Sequence, residues 1–226
     1  MSSSSDTLII DHLAQYVSDH KKKTIEEVLD KRTRHLTIVL EDIFQSQNAS
    51  AVFRTAECFG VQDIHLIENL SKYALNKRVL RGANKWLTIK KHAQKEKDNS
   101  RACLESLKAS GYKILATMPS ANLTIQQVDV SNKIAVVMGN ELHGLSDTAI
   151  ALADYKVTIP MFGFTESLNL SVSAAICVHE LINRMKASSV DWHLSEEMKK
   201  QLRLEWYRKL VRNAEMIERK FLESIA

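Results

Sequence analysis

With only two prolines, six glycines and three cysteines in 226 residues, the sequence is poor in the residues that mark several common protein classes. Cys58, Cys103 and Cys177 are odd in number, far apart and without a C-x-x-C pair, so their spacing indicates neither a disulfide framework nor a zinc site. They are expected as buried free thiols in a reducing cytosol. No apolar run approaches the roughly 20 residues of a membrane span, and Met1–Asp6 lacks the charged start and apolar stretch of a signal peptide. A soluble, cytoplasmic chain with no membrane partner is the expectation. Also missing are G-x-G-x-x-G after the first strand, G-x-x-x-x-G-K-[ST], G-x-S-x-G and H-E-x-x-H, the usual dinucleotide, nucleotide, hydrolase and zinc-protease signals.

The composition that is present, 45% hydrophobic and 26% charged, supports one sizeable core with helical appendages. A net charge of +4 and a pI of about 8.9 fit a polyanionic partner without establishing one. After an unordered-looking M-S-S-S-S-D start, Leu8, Ile9, Leu13 and Val17 have helical spacing. A basic run, His20 to Lys23, precedes a second short helix capped by Thr24 with Ile25, Val28 and Leu29 inward, and Lys31, Arg32, Arg34 and His35 follow. Strands are predicted at Leu36–Leu40, Ile64–Ile67, Tyr112–Met118, Lys133–Met138 and Lys156–Ile159. Helices are predicted at Asn48–Phe59, Ser100–Ser110, Asp147–Ala153 and from Ser167 to about Lys186. This alternation indicates an α/β fold with right-handed parallel crossovers. Ser71–Thr88 is mixed and polar, with Arg78, Arg81, Lys85 and Trp86 close together. Ser195–Ile225 reads as one long amphipathic helix with the stripe Met198, Leu202, Trp206, Leu210, Ala214, Ile217 and Phe221. Its cations alone are explained as well by a solvated face as by nucleic acid; two basic helical extensions flanking one core favour a polyanion. The division expected is 1–35 as a basic helical extension, 36–186 as the main domain and 187–226 as a basic terminal helix.

Chemistry concentrates in three polar loops. The first is Asn48-Ala-Ser-Ala-Val-Phe-Arg54, where Asn48 caps a helix and Arg54 lies nearly two turns in. The second is G-N-E-L-H-G-L-S, Gly139–Ser146, at the carboxyl end of a parallel strand, where such sheets hold ligands. The third is Ser167-Leu168-Asn169, which opens a helix after the strand that ends at Pro160. These motifs, their order and their separation resemble the SpoU-type branch of the SPOUT methyltransferases, as do R-T-A-E-C-F-G-V-Q-D-I-H (Arg54 to His65), G-A-N-K-W (Gly82 to Trp86), I-L-A-T (Ile114 to Thr117) and I-P-M (Ile159 to Met161). The resemblance covers roughly Leu36 to Arg184. The family usually has a proline two residues before the motif-one asparagine, where this chain has Ser46.

The resemblance implies an α/β fold with a C-terminal trefoil knot, S-adenosyl-L-methionine as cofactor, a homodimer, and 2′-O-methylation of a tRNA ribose, guanosine 18 of the D-loop. It also implies site residues: Thr117, Gly139, Ile159 and Leu168 around the cofactor, and Asn48, Arg54, Glu141, Ser167 and Asn169 in catalysis. A guanidinium is a poor base because its pKa exceeds about 12, so Arg54 is expected to clamp a substrate phosphate that accepts the proton. His143 is a titratable neighbour in a position the family does not use for catalysis. Neither a metal nor a covalent intermediate is required. Lys21, Lys22, Lys23, Arg32, Arg34, Lys199, Arg203 and Arg208 are the candidate phosphate contacts to tRNA. Other tRNA sites or ribosomal RNA are alternative targets. A non-catalytic RNA-binding protein on this scaffold is expected to have lost Arg54, Glu141 or Asn169, and all three are present.

Overall fold

The protein is described by a computed structural model over residues 2–74 and 76–225. Its elements begin with α1 (Ser2–Ala14), α2 (Asp19–Leu29), β1 (Leu36–Glu41), α3 (Ser46–Cys58), β2 (Asp63–Ile67), α4 (Lys77–Leu80) and β3 (Thr88–His92). There follow α5 (Asn99–Ala109), β4 (Tyr112–Thr117), β5 (Leu123–Thr124), β6 (Lys133–Met138) and α6 (Asp147–Leu152). The chain ends with β7 (Tyr155–Thr158), α7 (Leu170–Ala187), α8 (Glu196–Leu210) and α9 (Ala214–Ile225). Residues 33–192 form one compact unit; the two ends, up to residue 32 and from residue 193, form another.

Every residue of β1 is buried, as a parallel strand covered on both faces requires. The sheet is parallel throughout, in the order β3-β2-β1-β6-β4-β7-β5. Strand β6 therefore returns to the middle, with Ile38 beside both Ile64 and Val136. Side chains alternate along β1. Leu36, Ile38 and Leu40 pack with Val52 and Phe53 of α3 and Ala174, Val178 and Leu181 of α7, while Val39 packs on the other face with Cys103, Leu104 and Leu107 of α5. Each such aliphatic side chain contributes about 1.5–3 kcal/mol by leaving water. The buried polar groups of β1 are paired: Thr37 Oγ1 donates to the Asp63 carbonyl at 2.8 Å. The Glu41 carboxylate accepts from the Ser100 hydroxyl and from Ser146 N (2.9 Å) and Oγ (2.7 Å).

In the terminal unit α1 lies against α8 and α9, with Leu13, Leu29 and Trp206 buried. His12 stacks on Phe221 with ring centroids 4.2 Å apart. Among the described residues no helix is long and apolar enough to cross a membrane.

Five expectations are corrected. The serine run belongs to α1 from Ser2 onward, Met1 lying outside the described residues. Helix α2 is capped by Ser18, whose Oγ accepts from Lys21 N at 3.4 Å; Thr24 lies inside it, its hydroxyl donating to the His20 carbonyl four residues back. The terminal stripe is two helices: Val211 is extended and Asn213 has φ 58°, a left-handed conformation asparagine tolerates, and the reversal brings Arg208 onto Glu218 at 2.8 and 2.9 Å. Ser71–Thr88 contains α4 and the first residue of β3, an edge strand whose Ile89, Lys90 and Lys91 face solvent. Cys58 is exposed at the end of α3, unlike Cys103 and Cys177.

Candidate active site

A cavity of about 700 Å³ opens at the carboxyl ends of β4, β6 and β7. Three segments wall it. Thr117 to Pro119 leave β4, Met138 to Leu145 leave β6, and Val157 to Met161 with Ser167 to Leu170 lead from β7 into α7. Asn48, Glu141, Ser167, Asn169, Thr117, Gly139, Ile159 and Leu168 all line it. Arg54 does not. Six residues along α3 from Asn48, it stands about 9 Å farther along the axis and some 240° around it, and its side chain is exposed. Among the described residues it has no ion pair or hydrogen bond.

The polar side of the cavity is a directed chain of hydrogen bonds. Glu141 is acceptor-only when ionised, and takes Phe44 N (2.9 Å), Gln45 N (3.3 Å) and Asn48 Nδ2 (2.9 Å). Asn48 must therefore present its amide nitrogen to Glu141 and its oxygen to Asn169, whose Nδ2 donates to it at 3.1 Å. The Asn169 oxygen in turn caps α7, accepting from Ser171 N at 2.9 Å. The cap expected at Asn48 is thus reassigned: helix α3 starts at Ser46, which puts Asn48 in its first turn and almost buried, while within Ser167–Asn169 it is Asn169 that caps α7.

The loop after β6 is held by its own geometry. Asn140 and Gly144 exchange backbone hydrogen bonds of 2.8 Å, and Gly144 has φ 71°. A Cβ on Gly139 would sit 2.4 Å from the carbonyl carbon of Gly144 and the nitrogen of Leu145, so only glycine fits there. Asn140, not singled out from sequence, donates to the Asp42 carbonyl at 2.6 Å and accepts from Leu142 N at 2.8 Å and His143 N at 3.1 Å. The asparagine directly after an apolar strand was its available signal. Asp42, also unremarked, accepts from Asn69 N and Leu70 N at 2.7 Å and Ser71 N at 3.1 Å, and holds φ 50°. Gln45 lines the cavity too, and its side-chain oxygen accepts from Asn48 Nδ2 at 3.2 Å. Burial pushes the thiol of Cys177 up to about 12, so this wall residue stays neutral and is no nucleophile. His143 reaches the rim and is exposed.

The candidate phosphate contacts are scattered. Arg34 donates to Asp63 at 3.1 Å, and Lys22 pairs with Asp19 at 2.7 Å. Lys199 pairs with Asp30 (2.8 Å) and Glu196 (2.9 Å), Arg203 with Glu26, and Arg208 with Glu218. Arg32 is 1% exposed, its guanidinium 5.4 Å from the ring centroid of Trp206, which makes it a packing residue. Lys21 is half-buried and Lys23 exposed.

A parallel sheet with a part-apolar cavity at its carboxyl edge, polar groups converging on one wall and no activated nucleophile is a site for holding a ligand and presenting it to a second substrate. Residues 35–179 match the SpoU rRNA Methylase family, and the chain belongs to it. The tRNA (guanosine(18)-2'-O)-methyltransferase of Borreliella burgdorferi is 43% identical over 207 residues, 91% of this chain and 93% of the relative. The Thermus thermophilus enzyme of the same name is 31% identical over 85% of this chain and 98% of its own. Among solved structures, the A. aeolicus TrmH/SpoU tRNA modifying enzyme superposes with a TM-score of 0.76 at 30% identity, covering 86% of this chain and 98% of that one. A SpoU methyltransferase from Streptomyces viridochromogenes, in complex with the cofactor AdoMet, shares the fold at 20% identity, with a TM-score of 0.61 over 72% of this chain and 65% of that one.

Proposed function

We propose that this chain uses S-adenosyl-L-methionine to methylate the 2′-oxygen of guanosine 18 in the D-loop of tRNA. The observation that carries the reading is the Asn169–Asn48–Glu141 chain on the wall of a cavity whose size and apolar lining suit an adenosyl group, in a member of this family. The names of the two curated relatives supply the nucleotide. The residues fit the cofactor: Gly139 lets the loop after β6 fold tightly on itself at the cavity wall, Ile159 and Leu168 give apolar walls, and Thr117 closes the β4 side. When bound, the cofactor supplies a methyl group on a positively charged sulfur, ready for in-line attack by oxygen.

The chain's own work is to hold the two reactants in line and to find a place for the proton of the hydroxyl. Glu141 and Asn48 fix one another and the start of α7, so Ser167 and Asn169 meet the substrate from a rigid helix end. Arg54 clamps the RNA phosphate next to the reacting ribose, and a phosphate oxygen takes the proton. Since Arg54 leaves α3 on a side away from Asn48, it serves the cavity of a second copy, and the enzyme is a homodimer. The exposed apolar side chains of Leu142 at the cavity and of Phe162, Phe164 and Val172 support a covering copy. The C-terminal part of the sheet unit is threaded as a trefoil knot, a reading supported by the return of β6 between β1 and β4 and by the packing of the loop after β6 on itself at Gly139. Residues 36–186 are the methyltransferase domain and the flanking segments bind tRNA. With tRNA as substrate, the enzyme works in the cytoplasm.

The test is methyl transfer from labelled cofactor to unmodified tRNA and ribosomal RNA, with the modified nucleotide mapped. Guanosine 18 ribose methylation is expected, falling about a hundredfold or more in Arg54→Ala. Arg54→Lys is expected to fall nearly as far, because an ammonium keeps the charge and loses the bidentate fork. Near-normal turnover in Arg54→Lys overturns the clamp, and methylation elsewhere overturns the target.

A further inference from the structure

Away from the cavity, three side chains from three elements converge under the other face of the sheet. His65 is on β2, His92 on the edge strand β3 and Cys103 on α5. The register pairs His65 with Lys90 and Ile67 with His92, so the two histidines are diagonal neighbours two residues apart on the face that α5 covers. Their rings stack with centroids 5.4 Å apart and planes 13° apart. His65 Nδ1 lies 3.1 Å from His92 Nε2 and 3.6 Å from Cys103 Sγ, and all three ligand atoms lie within 4.8 Å of one another. None of the three lines the cavity.

We propose that His65 Nδ1, His92 Nε2 and Cys103 Sγ form a zinc-binding site with three protein ligands. One ring nitrogen makes one in-plane bond, as donor or as acceptor, so His65 Nδ1 cannot satisfy both an imidazole nitrogen and a thiol by hydrogen bonding. A cation at the centre satisfies all three. The two edges at His65 Nδ1, 3.1 and 3.6 Å, agree with zinc: bonds of about 2.0–2.1 Å to nitrogen and 2.3 Å to sulfur give tetrahedral edges of roughly 3.3 Å between nitrogens and 3.5 Å between nitrogen and sulfur. His65 and Cys103 are buried, and His92 is half-exposed, which leaves the fourth position to solvent. Two histidines and a thiolate favour zinc over magnesium or calcium, which take oxygen. The charged neighbours are Lys90, which pairs with Asp63 at 3.6 Å, and Glu41, whose field reaches Cys103. The ion would pin the exposed edge strand β3 to α5, and the reaction does not use it.

The untagged full-length chain, freed of metal by a chelator, is titrated with zinc and separately with cobalt(II). One ion per chain is expected, with a thiolate-to-cobalt charge-transfer band. The thermal midpoint is expected to rise by about 5–10 °C at zinc roughly a hundredfold above its Kd. His92→Gln, at a half-exposed edge position, lowers affinity at least tenfold, and Cys103→Ser removes the charge-transfer band. Sub-stoichiometric uptake, absence of the band in the unsubstituted chain, or a band that survives in Cys103→Ser overturns the site, as does unchanged affinity in His92→Gln. The band and stoichiometry of the unsubstituted chain decide the matter if a variant fails to fold.

Discussion

Asn48 is one amide with both ends committed, nitrogen to Glu141 and Gln45 and oxygen to Asn169. Gly139 is equally committed through its backbone, since the loop it begins folds back to within 2.4 Å of where its Cβ would lie. Adding that one methyl in Gly139→Ala forces Gly144 and Leu145 to move, at a cost of about 1–3 kcal/mol. The same movement displaces the cavity wall. Gly139→Ala is therefore expected to lower the thermal midpoint and to weaken cofactor binding at least tenfold, while tRNA affinity measured without cofactor stays as it was. Calorimetric titration of both ligands checks this, and cofactor binding as tight as in the unsubstituted chain would remove Gly139 from the cradle.

Helix α3 shows what a motif departure means in physical terms. Ser46 is its first residue, Gln45 before it is extended (φ −89°, ψ 106°), and Asn48 N and Ala49 N both reach the Gln45 carbonyl. A first helical position has no use for its own N–H, and an extended residue is what proline demands before it. Ser46→Pro is thus expected to fit, stabilising the chain by about 0.4–1 kcal/mol through the unfolded state and leaving methyl transfer unchanged. A lower thermal midpoint would mean that the loop before α3 needs the freedom serine gives it. The other elements divide by how they are buried. β1, β2, β4, β6 and β7 were legible to within a residue or two at each end, β1, β4 and β6 because central parallel strands are largely continuous apolar runs. β3 was not, because Ile89, Lys90 and Lys91 on an open edge carry no such run. Nor was the break between α8 and α9: the apolar stripe continues through Val211 to Ala214, and periodicity does not register a left-handed Asn213. Asn48, Glu141, Ser167 and Asn169 lay inside polar motifs and Thr117 and Ile159 were named through the family resemblance, whereas Arg54 shares the motif of Asn48 yet leaves the helix on another side. The His65, His92 and Cys103 cluster had no signature at all, since its members are 27 and 11 residues apart and meet only through strand register.

At the scale of the whole molecule, the two units carry different kinds of charge. In the terminal unit Lys22, Lys199, Arg203 and Arg208 are tied to carboxylates, so much of the apparent basic face is internally neutralised, while Lys23 stands exposed next to the half-buried Lys21. Under the proposed function, tRNA affinity depends on exposed cations such as Lys23 by counterion release, and cofactor affinity depends on the cavity. Lys23→Glu separates the two. It is expected to weaken tRNA binding roughly three- to tenfold at low salt, to reduce the slope of log K against log salt by about 1, and to leave cofactor binding untouched. Because the lysine is exposed and outside the core, the thermal midpoint should hardly move. Binding curves at several salt concentrations distinguish the outcomes. Parallel losses for tRNA and cofactor would mean that the substitution disturbs the fold. An unchanged slope would mean that phosphates are read elsewhere, and the division of labour between the units would have to be redrawn around the cations of the sheet unit.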